Sequence, residues 1–259
     1  MEQNVNSFNP KERFSNRVEA YRRFRPHYPP EIISYLKKEI NLSVTDVIAD
    51  IGSGTGFLSE RFLENGNTVF GIEPNKEMRE AGEHYLNRFE NFRSIPGSAE
   101  ETLLRDHSID VIAAAQAFHW FERKKFQSEC ERLLRGKSII CLIWNERDNY
   151  SDDFHRHYEN LLQNYATDYE QIRHDNITED ELREFFRAQP FHFAKFPNSQ
   201  RFDFEGVKGR LLSASYIPTE GHPRYGEMID VLRHLFMAHS TDGMLDMLYE
   251  TKIYWSKLS

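Results

Sequence analysis

Cysteine is almost missing from this chain: Cys130 and Cys141 are the two in 259 residues. They have neither C-x-x-C spacing nor neighbours of metal-ligand type, which argues against a disulfide framework or a structural zinc site and leaves two buried thiols as the expectation. Long apolar runs are missing as well. No stretch approaches the ~18 apolar residues that a membrane span needs. The mean hydropathy is −0.69. The opening residues, MEQNVNSFNPKERF, hold no apolar segment of the secretory type, so the expectation is a cytoplasmic protein without a membrane partner. A basic excess is lacking too: Lys and Arg number 33 against 41 Asp and Glu, a net charge of −8. A general binder of phosphate backbones takes its affinity from a basic face, so nucleic acid is not the expected partner. Internal repeats and low-complexity tracts are absent. What is abundant is aromatic: 14% of residues, with 20 Phe and 12 Tyr. Most of these belong in a core, and the surplus suits a pocket for a flat or cationic ligand.

Five apolar runs rich in β-branched residues read as short buried strands: Val47–Ile51, Thr68–Glu73, Phe92–Ile95, Ile109–Ala115 and Ser138–Trp144. Between them lie segments of helical period, Phe57–Glu64, Lys76–Phe89 and Lys124–Leu134. This alternation predicts an α/β fold, a parallel sheet with helices on both faces. Upstream, Lys11–Arg25 and Pro30–Ile40 read as helices, and Pro26, Pro29 and Pro30 between them forbid one continuous helix. Downstream, Asp152–Tyr165 and Thr178–Ala188 read as charged helices, the second opened by Thr178 with Glu181 at the reciprocal capping position. They are expected as an insertion over one end of the sheet. Strand-like text returns in Phe191–Phe204 and Tyr249–Trp255, with helices near Val207–Ser213 and Arg224–Ala238.

The chemistry concentrates in VIADIGSGTGF, residues 47–57, where Gly52, Gly54 and Gly56 stand between a strand and a helix. Such glycines let a ligand approach the main chain. A dinucleotide turn needs G-x-G-x-x-G/A, and its third small position is Phe57 here, a side chain that obstructs close packing of helix on strand. Asp50 precedes the turn, poorly placed for a pyrophosphate and well placed for an ammonium. Glu73 ends the second strand, 73 − 52 = 21 residues after the first glycine. That is the spacing at which an acid accepts from both ribose hydroxyls. The site therefore asks for a charged nucleoside without a phosphate, which describes S-adenosylmethionine.

ADIGSGTG (49–56), GIEPNKEM (71–78), GSAEE (97–101) and IDVIAAAQAFHWF (109–121) resemble the class I S-adenosylmethionine-dependent methyltransferases. FSNRVEAYRRFRPHYP (14–29), LLSASYIP (211–218) and YETKIYWSKL (249–258) are similar to the small-molecule branch that contains trans-aconitate methyltransferase-like proteins, of the methyltransferase type 11 domain. The resemblance implies a Rossmann-like, doubly wound, seven-stranded sheet with its last strand antiparallel, N-terminal helices and a helical lid. It also implies one domain spanning 1–259: a helical cap (1–42), a cofactor-binding core (43–146), a helical insertion (147–190), and strands and helices that complete the sheet (191–259). Asp50, Gly52 and Gly54 would line the methionine part of the cofactor and Glu73 the ribose, with Ser53 and Gly56 among the cofactor-binding residues of the same turn. Pro74 and Met78 would flank the adenine, with Ser98 and Ala99 at its edge, while Gln116 and Ala117 close the methyl-donor end. Many relatives carry an acid where Ser98 stands, so that contact is neutral here.

Methyl transfer from a sulfonium is an in-line displacement, in which the protein aligns an acceptor and excludes water. It needs no metal, and His155, His157 and His174 lack a ligand spacing. A carboxylate or hydroxyl oxygen is the favoured acceptor, with nitrogen possible. His119 is the candidate base by titration range, its other reading being an aromatic spacer. Trp120 would be a wall of the acceptor cavity. Tyr21, Arg25 and Tyr28, on the proline corner, would cap the methionine end and the acceptor; the other reading of RRFR is a solvated face. Trp144, Arg147 and Tyr216 complete the acceptor candidates. The rival readings are an NAD-dependent oxidoreductase, a non-catalytic S-adenosylmethionine-binding protein and a nucleic-acid methyltransferase. The acceptor itself, and the choice between monomer and homodimer, lie beyond these motifs.

Overall fold

A computed structural model describes residues 18–167, 178–214 and 216–258. The apolar runs form β1 (Val47–Ile51), β2 (Thr68–Ile72), β3 (Phe92–Ile95), β4 (Ile109–Ala115), β5 (Leu134–Arg147), β6 (His192–Phe202) and β7 (Leu245–Lys257). They lie in one seven-stranded sheet of order β3-β2-β1-β4-β5-β7-β6. The first five strands run parallel, and the last strand, β7, is antiparallel to both β5 and β6. Strand order reverses beside β1, which has β2 on one edge and β4 on the other, and that switch point opens a crevice at the carboxyl ends of the strands.

The helices are α1 (Val18–Phe24), α2 (Glu31–Ile40), α3 (Phe57–Glu64), α4 (Lys76–Tyr85), α5 (Arg123–Leu133), α6 (Asp153–Tyr165), α7 (Glu179–Phe185), α8 (Phe204–Leu212) and α9 (Tyr225–His239). Side chains start four of them. Asn75 accepts from the Met78 N–H, Asp152 from His155, Asp203 from Gly206, and Thr178 forms the expected capping box with Glu181. Of the helix expected over Lys11–Arg25, residues 11–17 lie outside the described residues; its described part, α1, ends just before the proline corner.

The two-residue period of the strands sorts their side chains onto opposite faces. Ile48, Val111, Ala113, Ile139, Cys141 and Ile143 face a cluster built with Ile32 and Leu36 of α2 and Leu58 and Phe62 of α3. Ala49, Ile112, Ala114, Ile140, Leu142 and Trp144 face a second cluster with Phe126 and Leu133 of α5. Both cysteines are buried and free.

The segment expected as a single insertion divides between layers. Phe154, Tyr158, Leu161 and Leu162 of α6 join α8, α9 and the outer half of β7 in a third cluster. Leu182 and Phe185 of α7 pack instead into the second cluster, where Phe185 lies 4.7 Å from the Phe118 ring and stacks on Phe126. No helix among the described residues is long and apolar enough to cross a membrane.

Candidate functional site

The chain leaves β1 at Ile51, and the N–H groups of Gly52 and Ser53 both donate to the Ile72 carbonyl, at 2.8 and 3.1 Å. This draws the glycine turn onto the end of β2. A Cβ on Gly52 would stand 2.6 Å from that of Ala117, so glycine there lets the turn close against the loop after β4. Gly56, at φ +88°, caps α3 in the left-handed region, and a Cβ there would meet Leu86 Cδ1 at 2.6 Å. Gly56 is the close helix approach, one position before the place a dinucleotide turn would use. Phe57, next in line, stacks on His27 with ring centroids 4.0 Å apart and fills the cavity wall.

Two carboxylates flank this turn. Glu73 accepts at Oε2 from the Gly54 N–H (2.9 Å) and at Oε1 from the Asn75 N–H (2.8 Å), and burial holds its pKa above the usual range. Asp50 lies on the sheet face of Ile48 and accepts at Oδ2 from the Ser59 hydroxyl at 2.6 Å. Its Oδ1 is buried with no hydrogen-bond partner, and burial raises the pKa to about 7. A buried, unpaired carboxylate oxygen is costly unless something arrives to bond it.

The crevice is a cavity of about 390 Å³, within the ~300–1,000 Å³ range of small-molecule sites. It gathers most of the residues singled out in the sequence. Asp50, Gly52, Ser53, Gly54 and Glu73 form one wall with Pro74 and Met78. Ser98, Ala99, Gln116 and Ala117 form the next, and Tyr21, Arg25 and Tyr28 close over it from the proline corner. His119 and Trp120, on the short helical turn Phe118–Trp120, complete the rim with Arg147 and Tyr216. Gly56 is outside the lining, occupied by helix packing. Trp144 is outside it as well: it is 3% exposed, with its ring 6.3 Å from Phe118, in the second core cluster. Strand parity is the reason, because Trp144 faces opposite to Asn145 and Arg147. Ser98 is engaged locally, its hydroxyl accepting from the Glu101 N–H at 3.2 Å. His155, in the first turn of α6, bridges Asp152 and the Leu248 N–H, whereas His174 falls outside the described residues.

A polar knot fastens the corner over the cavity. Asn145 Nδ2 donates to the Pro26 and His27 carbonyls at 3.1 and 3.4 Å, and Asn198 Nδ2 donates to His27 at 2.8 Å. Gln116, at φ +54°, donates from Nε2 to the Asn145 carbonyl at 2.7 Å, leaving its buried Oε1 without a partner. Arg22 and Arg23 are exposed, but Arg25 turns inward: one terminal nitrogen donates to the Ser213 carbonyl at 3.1 Å, and its buried Nε has no partner. Its guanidinium lies 5.3 Å from the Tyr21 ring centroid, a cation–π distance. Arg147, read from the sequence as an acceptor candidate, is neither solvated nor bare, since it pairs with buried Glu159.

The cavity also contains Arg210, which the sequence reading passed over. It is 6% exposed on α8, and its Nε donates to the Tyr249 hydroxyl at 2.9 Å. A signal was there: Val207, Arg210, Leu211 and Ala214 recur at helical spacing, which sets a cation in an apolar stripe.

Residues 49–142 match the methyltransferase domain family. An uncharacterized methyltransferase of Mycobacterium tuberculosis is 36% identical over 135 residues, 52% of this chain and 53% of that protein. The chain thus spans about half the length of these curated relatives. An uncharacterized methyltransferase-like protein of Schizosaccharomyces pombe is similar over 94% of both chains, at 25% identity. Among solved structures, a putative type II methyltransferase from Anaeromyxobacter dehalogenans has the same fold, with a TM-score of 0.67 over 91% of this chain and 98% of that one, at 19% identity.

Proposed function

We propose that this chain, built around a class I S-adenosylmethionine-dependent methyltransferase domain, transfers the methyl group of S-adenosylmethionine to a small-molecule acceptor, at a carboxylate or hydroxyl oxygen before nitrogen. One observation carries the reading. A single cavity holds a buried carboxylate oxygen of Asp50 and a buried Nε of Arg25, each without a partner, the complements of an ammonium and a carboxylate. Glu73, buried beside Gly54, adds an acceptor for ribose hydroxyls. The residues therefore fit a nucleoside that carries an amino acid.

When bound, the cofactor supplies an electrophilic methyl carbon on a sulfonium. Asp50 would hold its ammonium, Arg25 its carboxylate and Glu73 its ribose, with Met78, Ser98 and Ala99 around the base. Gln116 and Ala117 would border the methyl-donor end. Tyr21, Tyr28, Trp120 and the corner tied down by Asn145 exclude water. His119 would accept a proton from a hydroxyl acceptor; an ionised carboxylate needs no base. In this division residues 43–146 bind the cofactor, and the flanking segments shape the acceptor space.

The test combines calorimetric binding of S-adenosylhomocysteine with a metabolite screen that follows its production. Glu73→Ala loses at least one hydrogen bond to a carboxylate, worth ~1.5–3 kcal/mol, so affinity should fall by about 10-fold or more. Unchanged affinity would overturn the cofactor site. Tight binding with no turnover across the screen would favour a sensor, and NAD binding at the same site would favour an oxidoreductase.

A further inference from the structure

Pro26, Pro29 and Pro30 leave the corner short of N–H donors, so the sheet can grip it chiefly through its carbonyls. Those of Pro29 and Pro30 accept from Ile32 and Ile33 in the first turn of α2. Those of Pro26 and His27 accept from two side chains of the sheet, Asn145 on β5 and Asn198 on β6. The two ends of the corner differ in anchorage. Downstream, α2 sinks Ile32, Ile33 and Leu36 into the core, whereas upstream α1 has no buried residue. Pro26 disfavours helix at the residue before it, so α1 stops at Phe24 and Arg25 leaves it for the cavity. The sheet therefore grips the chain one and two residues after Arg25.

That grip is set before any ligand arrives. Thr251, fully buried on β7, donates to Asn145 Oδ1 at 2.5 Å, and Asn198 Nδ2 reaches the same oxygen at 3.2 Å. The two donors fix the Asn145 amide with its Nδ2 toward the corner. Asn145 also lines the cavity, so a change there would disturb a ligand directly. Asn198 is different. It stands on the edge strand, outside the lining, and reaches the site through the His27 carbonyl at 2.8 Å. On the other side of Arg25, a Cβ on Gly209 would stand 2.3 Å from the Phe24 ring, so α1 lies close on α8.

Resting on the methyltransferase reading, we propose that Asn198 is a positioning residue for the cofactor: by holding the His27 carbonyl it sets Arg25 against the cofactor's carboxylate. A guanidinium–carboxylate contact is strong only in the right geometry, so a small release of the corner weakens it. An edge strand that touches no ligand would then tune the amino-acid end of the site. The nucleoside end rests on the glycine turn and Glu73, joined by the Gly54 N–H, and is independent of the corner.

The probes are S-adenosylhomocysteine and methylthioadenosine, which shares the nucleoside and thioether but has no ammonium or carboxylate. Both are titrated calorimetrically into wild type, Asn198→Asp, Asn198→Ala, Arg25→Gln and the double variant Arg25→Gln/Asn198→Asp. Asn198→Asp keeps the shape, loses the donor and turns a carboxylate oxygen toward the His27 carbonyl. It should weaken S-adenosylhomocysteine by about tenfold or more, the effect of one charge-assisted contact, and Asn198→Ala should act in the same direction by less. Methylthioadenosine should stay within about threefold of wild type in both. The double variant should bind S-adenosylhomocysteine within about threefold of Arg25→Gln alone, because the two changes remove one contact. Unchanged S-adenosylhomocysteine affinity in both Asn198 variants overturns the proposal. Equal loss of the two ligands does so as well, since it marks damage to the fold, and additive losses in the double variant show that Asn198 acts by a route other than Arg25. A wild type that binds neither ligand defeats the underlying methyltransferase reading, a result distinct from all of these.

Discussion

The two ends of the cavity are built by different rules. At the end beside β1 and β2, the polar groups come from a turn and two strand ends, and main-chain N–H groups hold most of them, Gly52 and Ser53 to Ile72 and Gly54 to the Glu73 carboxylate, with Asp50 fixed by the Ser59 hydroxyl. At the far end, Arg25, Arg147, Arg210 and Tyr216 come from four separate elements and are held by side-chain contacts such as Arg210 to Tyr249 and Arg147 to Glu159. A backbone-built site tolerates few changes and serves one ligand. A side-chain-built site can be re-aimed one residue at a time, which suits the part of an enzyme that chooses its acceptor.

The largest expected effect tests that contrast through two glycines. Gly56→Ala combines a left-handed φ with a Cβ 2.6 Å from Leu86, which is fully buried. Backbone strain of roughly 1–2 kcal/mol plus overpacking of roughly 1–3 kcal/mol gives a loss of about 2–5 kcal/mol. Gly221, in the loop before α9, has φ +95° but nothing within 4 Å of its would-be Cβ. Gly221→Ala should therefore cost only the strain, about 1–2 kcal/mol. Urea unfolding of the two variants measures the difference, and equal losses would show that the turn is not packed as tightly as its contacts indicate.

The same contrast decides what could be read from the sequence. Asp50, the glycines and Glu73 lie within 24 residues, between a strand and a helix whose periods are plain, and they meet in space because β1 and β2 pair in register from Val47↔Thr68 to Ile51↔Ile72. The local pattern and the site are nearly one object. Arg210 stands 185 residues beyond Arg25 in the sequence, and the two are neighbours only because Gly209 admits Phe24. Trp144 failed for a simpler reason. Grouping it with Arg147 ignored strand alternation, which turns it into the core. The Asp152–Ala188 segment read correctly as two capped helices, but an amphipathic face does not say which layer it joins, and α6 and α7 chose different ones. Strand β7 runs from Leu245 to Lys257, past the expected Tyr249–Trp255, and in its first part the exposed Asp246 dilutes the apolar signal of Leu245 and Met247.

A smaller effect should appear as a pH dependence confined to the first end. Burial raises the Asp50 pKa from 3.8 to about 7 in the unliganded protein, with Glu73 adding to the rise and Ser59 opposing it. The folded state thus keeps a proton that the unfolded chain releases. The stability contributed by this group is full below about 3.8 and is lost as pH climbs through about 7. Ligand binding has the opposite sign, because an ammonium favours ionised Asp50. S-Adenosylhomocysteine affinity should be level above about pH 7 and should fall toward tenfold per pH unit below it. Calorimetric titrations between about pH 5.5 and 8.5 read this slope. Asp50→Asn should flatten it, and a slope that survives in this variant would assign the titration to another group.

The smallest effect concerns Ser98, at the border of the backbone-built end, where one side chain is left to make the contact. Its hydroxyl already accepts from the Glu101 N–H, so Ser98→Ala removes a local bond and, on the proposed placement of the cofactor, a neutral acceptor for the adenine amine. A neutral hydrogen bond is worth ~0.5–1.5 kcal/mol, and affinity for S-adenosylhomocysteine should drop only about two- to tenfold. Ser98→Asp supplies a charged acceptor at the same point and should tighten binding relative to serine, as charge-assisted bonds are about twice as strong as neutral ones. Alanine and aspartate variants that bind alike would mean that Ser98 serves its own turn and not the base. The cofactor end would then read its adenine through shape alone, around Pro74, Met78 and Ala99.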